Sequence, residues 1–119
     1  MISLETVQAH AWALDPQRSN EGVCQYVRGE RPWCIVGQIV HDLAPDLFDK
    51  LTDDTNNVLV MELSEMFSGY FEWDAVKWLS EAQMAADGNI YGGNIPDAVA
   101  DGYMPWSECI QYANKQMGE

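Results

Sequence analysis

The sequence predicts an all-α protein, a compact single-domain bundle of about six to seven short helices with at most one short strand or hairpin. Two observations carry this prediction. Apolar residues recur at helical spacing in successive segments, and prolines, glycines and capping residues separate these segments at short intervals. With 119 residues, of which 47 % are hydrophobic, the chain has enough material for one core. We therefore assign residues 1–119 to a single helical domain.

The N-terminal third predicts one amphipathic helix and one central core helix. The first begins after Ser3, a common capping residue, and ends before Asp15-Pro16. Residues 22–27 then fit either a short strand or one more helical turn. The central helix is predicted from Pro32 to Leu43 because apolar residues follow at i, i+3, i+4 and i+7. Gly37 lies on its second face, where the missing side chain leaves room for a neighbour.

The rest of the chain predicts further short helices. Pro45 begins one, and Thr55 caps another that extends to about Phe67. The clearest helix spans residues 72–86, where Ala75, Trp78, Leu79, Ala82 and Ala86 keep the helical period. Two more are predicted, one over residues 96–100 and a last one that begins at Pro105 and has Trp106, Cys109, Ile110, Ala113 and Met117 on one face.

Acidic residues dominate the charge of the chain. The formal net charge is −13, and residues 42–101 contribute −11 of it. A negative surface repels nucleic acids and anionic membranes. The composition therefore argues against direct nucleic-acid binding, and the charge serves either solubility or a basic protein partner.

Cysteine use and hydropathy predict a cytoplasmic protein. Cys24, Cys34 and Cys109 are odd in number and widely spaced, which does not suit a disulfide framework. The N-terminus lacks the basic region of a signal peptide, and no apolar run approaches the length of a membrane span. We expect no membrane insertion.

Few residues in the sequence suggest catalysis or metal binding. Cys34 and His41 share one face of the central helix, and His10 or Cys24 could approach them, but the paired spacing of structural zinc sites is missing. The glycine-rich loop at residues 88–94 lacks the Lys-Ser/Thr ending of a phosphate-binding loop. We therefore assign no catalytic residue, no metal ligand and no cofactor.

Aromatic residues are more numerous than a small core readily hides. Phe71 and Trp73 flank the start of the clearest helix, while Tyr103 and Trp106 precede and begin the last one. Exposed aromatic patches tend to be protein interfaces. These four residues are the interface candidates, and the alternative is that they belong to the core and its rim.

Two segments resemble a family of small uncharacterised proteins from actinobacteria and their phages. The first, at residues 24–43, is CQYVRGERPWCIVGQIVHDL, and the second, at residues 78–102, is WLSEAQMAADGNIYGGNIPDAVADG. The chain departs from the family pattern at Tyr91, where tryptophan is usual, and in its acidic middle. The resemblance implies a phage origin and an accessory role, and it carries over no catalytic or binding residue.

The sequence leaves three functional hypotheses. The first is a phage accessory protein that binds a host protein through an aromatic, acidic surface, with no catalysis of its own; a homodimer is also compatible with it. The second is an acidic mimic of nucleic acid that inhibits a host defence or DNA-binding protein. The third is a small metal-binding or thiol protein, which requires Cys24, Cys34, His41 or His10 to converge.

Overall fold

The computed structural model describes residues 1–19, 25–56, 58–86 and 104–118. In these ranges the chain is mainly helical, with one two-stranded antiparallel hairpin. The helices are α1 (Leu4–Trp12), α2 (Ile35–Leu43), α3 (Pro45–Phe48), α4 (Ser64–Phe67), α5 (Trp73–Ala86) and α6 (Trp106–Gln116). The strands are β1 (Val27–Arg28) and β2 (Arg31–Pro32), and 3₁₀ turns cover Asp53–Thr55 and Val60–Leu63. The predicted mostly helical class is confirmed, and the helix predicted at residues 96–100 lies outside the described ranges.

The hairpin between β1 and β2 is closed by a tight two-residue turn. Gly29 and Glu30 both have positive φ angles, 58° and 68°, which gives the turn the twist of a type I′ hairpin. On the outer edge of β1, the side chain of Asn56 accepts from the Val27 amide and donates to its carbonyl oxygen. The Asn56 side chain thus satisfies the two outward-facing backbone groups of Val27, as a neighbouring strand would.

Helix α2 begins three residues later than predicted. Pro32 pairs with Val27 in the hairpin, and Cys34 is the helix N-cap, with its Sγ accepting from the Gly37 amide at 3.3 Å. The predicted stripe of Val36, Ile39, Val40 and Leu43 does face the core: the first three are fully buried and Leu43 is partly buried. The start was misplaced because a proline suits either a helix N-terminus or the end of an edge strand.

Gly37 is where the hairpin and α2 meet. A Cβ atom added there would lie 2.2 Å from the carbonyl oxygen of Tyr26 and 3.0 Å from its carbonyl carbon. No larger side chain fits unless the backbone of Tyr26, the residue before β1, moves. The prediction that this position admits a close neighbour is therefore confirmed.

The helix predicted from Thr55 to Phe67 is wrong in its first half. Asn56 has an extended backbone, and helical geometry resumes only with the 3₁₀ turn that leads into α4. Two long-range hydrogen bonds explain the interruption. The Asn56 side chain bonds to the hairpin, and the Val60 amide donates to Gln83 on α5 at 2.8 Å.

Helix α5 shares the centre of the core with α2. It packs most extensively on α6 and also contacts α1, α2 and the 3₁₀ turn before α4. The residues predicted for its inner face are all buried: Ala75, Trp78, Leu79, Ala82 and Ala86. In α6, the predicted face is also inside, at Trp106, Cys109, Ile110 and Ala113.

Two polar contacts join distant elements within this core. The Gln83 side chain donates to the hydroxyl of Tyr26 at 2.6 Å, and that hydroxyl donates to the Val58 carbonyl. The Trp78 indole donates to Asn114 on α6 at 2.7 Å. Buried polar groups cost free energy unless they are paired. The Gln83 bond therefore ties α5 to the residue before β1, and the Trp78 bond ties α5 to α6.

Candidate protein-binding surface

The four interface candidates separate into buried and exposed positions. Phe71 and Trp106 lie in the core, with 0 % and 1 % of their surface exposed, so their rings offer nothing to a partner and this part of the expectation is corrected. Trp73 is 57 % exposed. Tyr103 lies outside the described residues. Sequence periodicity could not show that Phe71 is buried and Trp73 exposed, because Phe71 makes a tertiary contact that no local pattern reveals.

That contact is a parallel β-bridge between Ile2 and Phe71. The Ile2 amide donates to the Tyr70 carbonyl at 2.9 Å, and the Glu72 amide donates to the Ile2 carbonyl at 2.8 Å. The bridge turns Phe71 inward, and α5 begins two residues later at Trp73. The chain start and the start of α5 are therefore held side by side.

An open groove of about 530 Å³ lies beside this bridge. Most of its lining residues are apolar in type, but polar atoms make up the larger part of the surface that they expose; these residues are Met1, Ile2, Leu43, Ala44, Pro45, Asp46, Gly69 and Tyr70. No sequence pattern predicts this groove, since its walls come from three segments that are far apart in the chain and share no hydrophobic periodicity. The apolar residues at the chain start were the one available signal.

Charged side chains surround Trp73 and the groove. Glu72 and Asp74 flank Trp73 in the chain and are exposed. Asp74 lies in the first turn of α5, where a negative charge is favourable. Lys50 lies 5.2 Å from the ring centre of Tyr70, and its hydrogen bond to the Tyr70 side chain raises the pKa of Lys50. This side of the molecule therefore carries one exposed indole flanked by two carboxylates, and an open groove whose lining includes Asp46 and Tyr70.

The two histidines meet at a different place, on the carboxylate of Asp42. His10 Nε2 lies 2.8 Å from Oδ2, and His41 Nδ1 lies 2.9 Å from Oδ1. Gln38 donates to both oxygens at 3.1 Å. Partial burial raises the pKa of Asp42, but the hydrogen bonds from His41, His10 and Gln38 outweigh it, and the net shift is downward. His10 and Asp42 are 32 residues apart, so no local pattern predicts their contact.

The cysteines do not join this cluster in the part of the chain that the structure describes. Cys34 and Cys109 are buried, with Cys34 Sγ bonded to the Gly37 amide and Cys109 Sγ to the Met104 carbonyl, while Cys24 lies outside the described ranges. Among described residues, no three histidine, cysteine or acidic side chains are grouped so that they could hold a metal ion. The glycine-rich loop at residues 88–94 also lies outside these ranges.

The described helices include none that is both long enough and apolar enough to cross a membrane. Comparison of the chain with protein-family models, with curated proteins and with solved structures finds no match.

Proposed function

We propose that this chain is a phage accessory protein that binds a host protein through an aromatic, acidic surface and has no catalytic activity of its own. The observation that carries the proposal is the exposure of Trp73 between two carboxylates in the chain, two residues after the Ile2–Phe71 bridge. The phage origin and the accessory role come from the resemblance of residues 24–43 and 78–102. The host cytoplasm is the proposed location.

Tryptophan is the residue most suited to anchor such an interface. Residues of this type dominate the binding energy of many protein complexes, especially when a polar rim surrounds them. Burying the exposed part of one indole would contribute about 2–3 kcal/mol, by area alone.

The charge of the chain favours a basic partner. Residues 42–101 carry most of the net charge of −13, and they include Glu72 and Asp74 beside the indole. Complementary charge mainly accelerates association and excludes acidic partners, whereas the apolar anchor holds the complex together. A partner bound in this way should stay bound at moderate salt.

The test is affinity capture from an actinobacterial host extract, with wild-type protein compared with two tryptophan variants. Trp12 is the matched control, because it is 53 % exposed and lies at the end of α1. We expect Trp73→Ala to weaken binding of the captured protein at least about tenfold, which corresponds to about 1.4 kcal/mol, and Trp12→Ala to leave it within about twofold. Affinities are measured by calorimetry with the purified partner.

Three outcomes would contradict the proposal. Equal losses in both tryptophan variants would mean that the indole at position 73 is not special. Capture of basic nucleic-acid-binding proteins alone, all lost as salt rises, would favour mimicry of nucleic acid. If light scattering finds a dimer that Trp73→Ala dissociates, the surface serves self-association instead.

A further inference from the structure

We draw no further inference here: the strongest candidate, the surface patch formed by the exposed Arg28 and Arg31, which lie opposite each other at the end of the β1–β2 hairpin, is a pair of surface charges, and nothing in the structure shows which group it would bind.

Discussion

At the scale of single residues, Asp42 shows how much a local contact depends on distant sequence. Its carboxylate accepts hydrogen bonds from His10 on α1 and from His41 and Gln38 on its own helix. The bond to Gln38 follows from the spacing i, i+4, which sequence reasoning can supply. The bond to His10 could not be predicted, because it requires the packing of α1 against α2.

Asp42 makes stability depend on pH in one direction. Its pKa in the folded protein is lowered, so its stabilising effect is complete above the pKa of the unfolded chain and is lost as pH falls through the folded value. We expect Asp42→Asn to lower the free energy of unfolding by about 1 kcal/mol at about pH 6, and by clearly less at about pH 3. Urea unfolding at both pH values measures this difference.

The control is Glu65→Gln, an exposed position outside the histidine contacts. Its effect on the free energy of unfolding should stay small at both pH values. An Asp42→Asn effect that does not shrink on acidification would mean that the carboxylate charge is not what stabilises the contact.

At the scale of elements, the sequence predicted helices well where one face alone decides their position. The segments that became α1, α3, α5 and α6 have an apolar stripe and a clear start or stop, and the structure places each close to its predicted range. The helix predicted from Thr55 failed in its first half because Asn56 bonds to the hairpin and Val60 bonds to α5. Long-range bonds of this kind override local propensity and leave no periodic signal.

Because the hairpin lies so close to α2, adding one methyl group at position 37 should lower stability strongly. We expect Gly37→Ala to lower the free energy of unfolding by about 2–3 kcal/mol, because the added carbon overlaps the Tyr26 backbone. Chemical denaturation measures the change. Gly69→Ala is the matched control, because a Cβ there would lie 3.4 Å from the nearest atom, the Met66 carbonyl oxygen.

The control variant should change stability by less than about 1 kcal/mol. Similar losses in both variants would show that the loss of glycine itself, and not the approach of the hairpin, determines the effect at position 37. A Gly37→Ala variant as stable as the wild type would mean that the strand moves aside at little cost.

At the scale of the whole molecule, composition predicts the core and the net charge but not the shape of the surface. Composition predicted a single apolar core, and one contiguous cluster of buried residues is observed. It could not predict the groove beside the Ile2–Phe71 bridge, since its walls come from segments that meet only in the folded chain. Of the three interface candidates that lie within the described residues, Trp73 is exposed and Phe71 and Trp106 are buried.

The excess of carboxylates also predicts how stability responds to salt. With a net charge of −13, self-repulsion opposes the folded state, and dissolved salt screens it. We expect the melting temperature to rise by a few degrees when sodium chloride is raised from about 0.01 M to about 0.3 M. Calorimetry at neutral pH measures the shift, and a constant or falling melting temperature would contradict it.

The uneven exposure of the tryptophans has an optical consequence. Trp78 and Trp106 are enclosed in the core, whereas Trp12 and Trp73 face water. The emission of the folded protein is therefore a sum of blue-shifted and red-shifted indoles. In a background in which Trp12 and the half-buried Trp33 are both replaced by Phe, the red-shifted emission comes from the indole proposed to anchor a partner, so the protein carries a fluorescent reporter of its own binding surface without any added label.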